Sequence, residues 1–177
     1  IKVHVPTTNS PEAAEARQKA ASEPKKVNQT PSRGPDSAEL DLYLNSNYSF
    51  DNYIEGDCNR LARSAGMAVA QRPGVTSFNP LLIYGGVGLG KTHLVQAIGN
   101  HIKGHFRDKS VLYVSSEKFT NQFINAIKSN TLQDFTDFYM KVDTLILDDV
   151  QFLSGKEKTQ DTFFHIFNHL HQSGRQI

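Results

Sequence analysis

The chain has 177 residues, a formal net charge of +1 at pH 7 and a single cysteine. That length is enough for one medium domain, while one cysteine excludes an internal disulfide and fits a reducing compartment. A net charge this small gives no general attraction to nucleic acid, so any such contact must be local. The sequence shows neither the pattern of a signal peptide nor an apolar run of membrane-spanning length, so we expect neither feature.

Residues 1–44 differ in composition from the rest of the chain. Five of the seven prolines lie in the first 40 residues, which contain no aromatic residue and few large aliphatic ones. Such a segment buries too little apolar surface to offset the entropy lost on ordering. We therefore predict a disordered, proline-rich linker over 1–44 and a folded domain over 45–177.

The folded part contains several stretches with apolar residues at helical spacing. They predict helices over 59–71 and 91–102, two helices within 116–141, and a helix over 159–172. A serine cap precedes the third of these helices. The residues expected to face inward are Leu61, Ala65, Ala68, Val69, Leu94, Ala97, Ile98, Ile102, Phe119, Phe123, Ile124, Ile127, Leu132, Phe135, Phe138, Tyr139, Phe163, Ile166, Phe167 and Leu170.

Short continuous apolar runs lie between the predicted helices. The runs at 81–84, 111–114 and 144–149 are typical of buried parallel strands. Strands that alternate with helices predict an α/β fold, in which a parallel sheet has helices on both faces.

A glycine-rich stretch, GGVGLGKT, follows the first predicted strand and leads directly into a predicted helix. It matches the pattern G-x-x-x-x-G-K-[ST], in which backbone N–H groups and the helix N-terminus face phosphate oxygens. The lysine of this pattern reaches the β- and γ-phosphates, and the hydroxyl residue ligates Mg²⁺. The alternative is a glycine-rich turn with a chance lysine. The predicted nucleotide-binding residues are Gly85, Gly86, Val87, Gly88, Leu89, Gly90, Lys91, Thr92 and His93, with Thr92 as a metal ligand.

Two acidic residues end the third predicted strand. Asp148 and Asp149 follow its apolar run, so their carboxylates should emerge at the C-terminal edge of the sheet, where ligands bind in open α/β folds. We assign Asp148 to the Mg²⁺ shell through a water molecule, and Asp149 to orienting or polarising the attacking water. Together with Lys91 they form the predicted catalytic set. A pair of helix-capping aspartates is the alternative.

Histidines on the last predicted helix raise the question of a metal site. Asp161, His165 and His169 fall on one helical stripe, and His171 lies nearby. The apolar face of this helix directs the histidines away from the core, so a solvated or subunit-facing surface accounts for them better than a metal. Cys58 is better explained as a plain helix residue than as a reactive thiol.

Four stretches together resemble a known family. They are FDNYIEG, NPLLIYGGVGLGKTHL, VDTLILDDVQFL and TFFHIFNHLHQ, and they resemble the bacterial chromosomal replication initiators of the DnaA family, which are AAA+ ATPases. The resemblance covers about residues 47–177. The phosphate-binding pattern alone is shared by many families, whereas the combination of the four stretches is much narrower. The resemblance implies a P-loop NTPase (AAA+) fold, truncated after the acid-bearing strand and its following helix.

The resemblance also implies roles for residues at matching positions. Tyr53 and Ile54 lie in a segment that packs on the adenine in the family. The helix pair 116–141 resembles an initiator-specific insertion, through which ATP-bound protomers stack into a helical filament. The positions that match the family's contacts to single-stranded origin DNA are Ile124, Lys156 and Lys158. We interpret GKEK, which contains both lysines, as a loop after the acid-bearing strand; without the resemblance, a merely solvated loop is the simpler explanation.

The function implied by the resemblance is ATP-dependent initiation of chromosomal replication by a cytoplasmic protein that binds ATP or ADP with Mg²⁺. Its implied partners are single-stranded origin DNA, further copies of itself and acidic phospholipids, with duplex DNA and the replicative helicase bound through domains absent from this sequence. We interpret the sequence as the first part of an AAA+ domain that would hydrolyse ATP weakly and serve as a nucleotide switch in the full-length protein, and be inactive alone. The alternatives are an AAA+ helicase-loader or initiator-regulator paralogue, and a P-loop metabolic kinase, whose acceptor pocket and arginine-bearing lid we do not find.

Overall fold

The computed structural model describes residues 43–177, so the linker predicted over 1–44 lies outside the described residues except for its last two positions. The elements of the described part are α1 (Arg60–Gln71), α2 (Lys91–His105), β1 (Val111–Ser115), α3 (Ser116–Lys128), α4 (Leu132–Met140), β2 (Thr144–Asp148), a 3₁₀ turn (Val150–Leu153) and α5 (Glu157–Gln172). Each predicted helix is confirmed, and α5 begins two residues before its predicted start.

The strands β1 and β2 pair in parallel and form the centre of the domain. Val111 pairs with Thr144, and Ser115 pairs with Asp148. Because successive side chains of a strand point to opposite faces, each strand contributes to two cores. The first core contains Leu112, Val114, Phe119, Tyr139, Val142, Leu145, Leu153, Ile166 and Leu170. The second core contains Phe50, Tyr53, Val69, Ala70, Leu94, Ala97, Ile98, Ile102, Val111 and Ile146. The predicted parallel sheet with helices on both faces is confirmed.

The strand predicted at 81–84 is wrong for this structure. Leu81 and Ile83 pack against the second core, but Leu82 is 69% exposed, and the segment is not part of the sheet. A strand requires a ladder of backbone hydrogen bonds to a neighbour. Within residues 43–177, the backbone contact found for this segment is a bond of 2.8 Å from the Leu81 N–H to the carbonyl of Ile177, the last residue of the sequence.

Near the N-terminus of α1, the residues that face the core differ from those predicted. Leu61 is 81% exposed, and the helix instead buries Ala65, Gly66 and Val69. At Gly66, an added Cβ would lie 3.0 Å from Cδ1 of Ile98, so the backbone of α1 approaches α2 closely. A face of small residues permits this approach, and the large side chain of Leu61 lies outside the contact.

The inward faces of α3 and α4 are narrower than predicted. Phe119 and Phe123 are buried as expected, whereas Ile124, Ile127 and Leu132 are exposed. The two helices pack on each other and on one side of the sheet, so an apolar edge of the pair faces outward. The prediction that these three residues point into the core was therefore wrong. No helix among residues 43–177 combines the length and the apolar character needed to cross a bilayer.

Candidate nucleotide-binding site

The loop between residue 84 and α2 depends on glycine at two positions. Gly88 and Gly90 have φ angles of 79° and 80°, in the left-handed region that glycine adopts without a Cβ penalty. At Gly90 a Cβ would also lie 3.1 Å from Cε2 of Tyr53. Gly90 is the N-cap residue of α2, so the loop passes directly into the N-terminus of that helix.

Lys91 adds a positive charge to this loop. It is the first residue of α2, and its Nζ donates a hydrogen bond of 2.7 Å to the carbonyl oxygen of Gly86. The first turn of a helix carries unpaired backbone N–H groups and a partial positive charge. The loop therefore combines an ammonium group with a helix N-terminus, and this combination suits phosphate groups.

Thr92 and Asp148 meet at the edge of the sheet. The hydroxyl of Thr92 donates to Oδ2 of Asp148 at 2.8 Å. The other carboxylate oxygen, Oδ1, accepts a hydrogen bond of 2.9 Å from the backbone N–H of Asp149. Asp148 ends β2 and is buried, whereas Thr92 lies in the first turn of α2. The structure therefore brings together the two residues predicted to serve Mg²⁺.

Tyr113 contacts the same carboxylate, although no sequence motif singles it out. Its hydroxyl donates to Oδ2 of Asp148 at 2.9 Å. Burial, followed by the hydrogen bond to Asp148, raises the pKa of Tyr113 to about 12, so the hydroxyl keeps its proton at neutral pH. The available signal was an aromatic residue with a polar tip inside an otherwise apolar strand.

Asp149 lies beside this group in a different environment. It is exposed, its backbone has a φ of 56°, and its Oδ1 accepts a hydrogen bond of 3.1 Å from Gln151. A positive φ is uncommon outside glycine, and aspartate is among the residues that tolerate it. Lys91, Asp148 and Asp149 line one cavity of about 280 Å³. The three predicted catalytic residues thus share one space, and the action of Asp149 on water stays a prediction.

His93 is turned toward the segment that precedes α1. Its ring lies between Tyr48 and Tyr53, at centroid distances of 4.8 and 5.2 Å. Its Nε2 is 3.0 Å from both the carbonyl oxygen of Ser49 and Oδ1 of Asn52. The side chain therefore anchors this segment to α2, and a nucleotide contact by His93 stays a prediction.

Tyr53 and Ile54, the predicted adenine contacts, have opposite surroundings. Tyr53 is buried in the second core and packs against Gly90 of the loop. Ile54 is 86% exposed. The structure thus places Tyr53 next to the phosphate-binding loop and leaves the side chain of Ile54 at the surface. Their contact with a base stays a prediction.

The predicted DNA-binding residues lie on two neighbouring helices. Lys156 is the N-cap residue of α5 and Lys158 belongs to its first turn, so the interpretation of both as loop residues was wrong for Lys158. Both lysines are exposed, as is Ile124 on α3. Nζ of Lys156 lies 3.5 Å from Oγ1 of Thr120. Thr120 is on α3, one helical turn before Ile124. The structure thus places Lys156 against the helix that carries Ile124.

The histidines of α5 point outward, as expected from its apolar face. His165, His169 and His171 are all exposed. Nε2 of His171 lies 3.2 Å from the carbonyl oxygen of Asn79, to which it can donate a hydrogen bond, and the ring of His171 stacks on Phe167. Within residues 43–177, no group of three or more His, Cys, Asp or Glu side chains is placed to hold a metal ion.

The residues of the site fit a nucleotide with Mg²⁺. Phosphate oxygens require N–H donors and positive charge, which the loop, the N-terminus of α2 and Lys91 provide. Mg²⁺ prefers oxygen ligands, and the hydroxyl of Thr92 and the carboxylate of Asp148 are both oxygen donors. The arrangement of these groups at the C-terminal edge of a parallel sheet defines a P-loop nucleoside-triphosphate-binding domain.

Comparison with known proteins gives the family. The protein-family model for the bacterial DnaA ATPase domain matches residues 44–177 of the sequence. The chain therefore belongs to this family of AAA+ proteins. The chromosomal replication initiator protein DnaA of Flavobacterium psychrophilum is 64% identical over 139 residues, which are 78% of this chain and 29% of that protein. Its counterpart in Bacteroides thetaiotaomicron is 53% identical over 152 residues, which are 85% of this chain and 32% of that protein. The chain thus spans roughly a third of the length of these curated relatives.

Solved structures of the family have the same fold. A replication initiator DnaA bound to AMPPCP and single-stranded DNA superposes with a TM-score of 0.73 at 46% identity, covering 76% of this chain and 41% of that one. Domain III of DnaA from Thermotoga maritima gives a TM-score of 0.73 at 50% identity, covering 76% of this chain and 55% of that one. These matches confirm both the predicted family and the predicted fold class.

Proposed function

We propose that this chain is the nucleotide-binding part of an ATP-dependent initiator of chromosomal DNA replication. The observation that carries the proposal is the hydrogen bond between Thr92 and Asp148 beside a phosphate-binding loop, in a member of the DnaA family. Binding of AMPPCP by a related initiator supports it. Identity of 64% to a protein named as an initiator favours this function over that of a helicase-loader or regulator paralogue.

Different residues of the site are proposed to bind the phosphates, the cation and the attacking water. Backbone N–H groups of the loop and the ammonium of Lys91 hold the phosphates in place. Thr92 can donate its proton to Asp148 and still present an oxygen lone pair to a cation. Asp149, on the same cavity, is exposed to solvent and can accept a hydrogen bond from a water molecule. Mg²⁺, when bound, would neutralise charge that develops on the phosphates.

DNA binding is proposed for the surface that carries Ile124, Lys156 and Lys158. The two exposed lysines can neutralise phosphates of a single strand, and the exposed Ile124 can contact its bases or sugars. A related initiator that binds single-stranded DNA together with AMPPCP supports this proposal. Two lysines give one protomer weak affinity, so stacking of protomers through the α3–α4 pair would provide avidity.

Further partners enter the proposal from family membership alone. We propose that duplex origin DNA and the replicative helicase bind to parts of the protein outside this sequence. We also propose a cytoplasmic location and a response of the nucleotide state to acidic phospholipids. The protein would then act as a switch in which bound ATP favours assembly on the origin and slow hydrolysis ends it.

A measurement of DNA binding in different nucleotide states tests the proposed function. The full-length protein is titrated against fluorescently labelled single-stranded DNA with ATP, AMPPCP, ADP or no nucleotide, and anisotropy is recorded. We expect strong binding with ATP and with AMPPCP, and weak binding in the other two states. Equal affinity in all four states would contradict the proposal. The same titration with EDTA in place of Mg²⁺ is the control for metal dependence.

A further inference from the structure

The carboxylate of Asp148 is held by groups from three parts of the fold. Its Oδ2 accepts hydrogen bonds from Thr92 on α2 and from Tyr113 on β1, and its Oδ1 accepts from the backbone N–H of Asp149. A carboxylate oxygen has two lone pairs in its plane, so the two donors fully occupy Oδ2. This leaves one acceptor position, on Oδ1, for a further donor such as a cation-bound water.

We propose that Tyr113 is a positioning residue for the cation of the nucleotide site, and that it acts by fixing the carboxylate of Asp148 in the orientation that serves Thr92 and a cation-bound water. This inference rests on the proposed nucleotide-binding function. Nothing in the motif patterns of the chain assigns a role to Tyr113, which lies outside both the phosphate-binding loop and the acidic pair.

The sheet register gives Tyr113 a fixed relation to Asp148. Tyr113 pairs with Ile146, and Ser115 pairs with Asp148, so Tyr113 lies two residues before the partner of the acid and on the same face. Its ring packs against the second core. The position of the hydroxyl therefore depends on paired strands and on a packed ring, and it does not depend on a surface loop.

The side chain of Gln96 on α2 lies near the hydroxyl of Tyr113. Oε1 of Gln96 accepts a hydrogen bond of 2.8 Å from the backbone N–H of Asn45, which fixes this side chain. Gln96 is itself buried, so this side of the Tyr113 hydroxyl does not face solvent. The single proton of the Tyr113 hydroxyl is donated to Oδ2 of Asp148.

If the Tyr113 hydroxyl had a purely structural role, its removal would have different effects on nucleotide binding. If the hydroxyl only satisfies a buried polar group, its removal changes the stability of the domain and leaves the metal dependence of nucleotide binding unaltered. If it positions Asp148, its removal weakens nucleotide binding only when Mg²⁺ is present. The two roles therefore separate in a measurement of binding, without any need to follow hydrolysis.

The test compares Tyr113→Phe with a matched variant in the full-length protein. Tyr139→Phe removes another buried tyrosine hydroxyl, which lies outside the nucleotide site. This hydroxyl donates a hydrogen bond of 2.6 Å to Oε1 of Gln122. Binding of a fluorescent ATP analogue is titrated with MgCl₂ and also measured in EDTA. For loss of a hydrogen bond to a charged group, we expect Tyr113→Phe to raise the Mg²⁺ concentration for half-maximal binding by at least about tenfold. We expect its affinity in EDTA to stay within about twofold of the original value.

The possible results separate this inference from the proposed function. Tyr139→Phe should leave both quantities unchanged, although it should lower the melting temperature. An unchanged Mg²⁺ requirement in Tyr113→Phe overturns the positioning role, and so does an equal loss of affinity with and without Mg²⁺. If the original protein binds no ATP analogue under any condition, the proposed function fails and this inference fails with it.

Discussion

The hydroxyl of Thr92 and the carboxylate of Asp148 meet at 2.8 Å although 56 residues separate them in the chain. Thr92 lies in the first turn of α2, and Asp148 is the last residue of β2. The contact exists because the C-terminal end of β2 lies beside the N-terminus of α2 at one edge of the sheet. Each element carries half of the site, and the parallel sheet joins the halves.

Loss of the Lys91 charge should abolish nucleotide binding. Lys91 provides the ammonium group at the loop, and a charge-assisted contact to phosphate is stronger than a neutral one. We expect Lys91→Ala in the full-length protein to show no ATP binding in isothermal titration calorimetry. Lys128→Ala, which removes an exposed lysine on α3, is the control and should bind normally. Unchanged ATP affinity in Lys91→Ala would rule out the assignment of the loop.

Replacement of Asp149 should separate binding from hydrolysis. Its exposed carboxylate lines the same cavity as Lys91, whereas Asp148 is held by Thr92 and Tyr113. An amide cannot accept a proton from water, so we expect Asp149→Asn to bind ATP normally and to turn it over at least about tenfold more slowly. Asp148→Asn is the companion variant. Normal turnover in Asp149→Asn with inactive Asp148→Asn would assign Asp149 to capping of the turn at 150–153.

The sequence signals on which the predicted site depends are local. The spacing from Gly85 to Thr92 is a continuous pattern, and the acids at the end of β2 follow a continuous apolar run. Local patterns of this kind indicate both the element and its chemistry. Their meeting at one edge then follows from the rule for open α/β sheets, with no knowledge of distances.

Long-range contacts could not be predicted in the same way. Tyr113 reaches Asp148 through the register of two strands, and His93 reaches Tyr48 and Asn52 across a fold of the chain. No fixed sequence spacing encodes such contacts. The strand at 81–84 was predicted from an apolar run, but strand formation depends on a paired neighbour as well. Leu61 was placed inward by periodicity, although close approach of α1 to α2 uses small residues.

Truncation of Phe119 should strongly destabilise the domain. Its ring is fully buried in the first core and contacts Phe135, Tyr139 and Phe163. Removal of a buried aromatic ring costs about 3–5 kcal/mol of unfolding free energy. We expect Phe119→Ala to lower the urea midpoint of the full-length protein sharply. The exposed Phe164 on α5 gives a matched control, because Phe164→Ala should change the free energy by less than about 1 kcal/mol. Equal midpoints for both variants would contradict the assigned core.

Alkaline pH should lower the folding stability of the domain, because the buried hydroxyl of Tyr113 then loses its proton. Its pKa is raised from 10.0 to about 12, by burial and by the hydrogen bond to Asp148. The folded state therefore keeps this proton at pH values where the unfolded state loses it. Its contribution to stability is complete below pH 10 and is lost as the pH rises toward 12.

Melting temperatures measured above pH 9 test this dependence. We expect the melting temperature to fall less steeply with pH in Tyr113→Phe than in the original protein, because the variant lacks the titrating hydroxyl. Tyr84→Phe removes a tyrosine hydroxyl at the surface and serves as the matched control, with a slope equal to that of the original protein. Identical slopes for the original protein and Tyr113→Phe would show that the hydroxyl does not carry the effect.

Removal of Lys156 and Lys158 should abolish ATP-dependent binding of single-stranded DNA. Both ammonium groups are exposed at the start of α5, and Lys156 lies against the helix that carries Ile124. On single strands, log affinity falls with log salt by about 0.7 per neutralised phosphate. Loss of two contacts should therefore reduce the salt slope of any residual binding by about 1.4 per protomer.

The measurement compares two double variants of equal charge change in the full-length protein. Lys156→Ala with Lys158→Ala should lose binding of labelled single-stranded DNA and opening of origin duplex, while ATP binding and duplex binding stay intact. Arg72→Ala with Arg107→Ala also removes two exposed positive charges, after α1 and after α2 and so outside the α3–α4 pair, and should keep DNA binding. If only the overall positive charge mattered, both variants would bind DNA equally weakly, because non-specific attraction depends on net charge. Unchanged affinity and salt slope in the first variant would assign Lys156 and Lys158 to ordinary solvated surface.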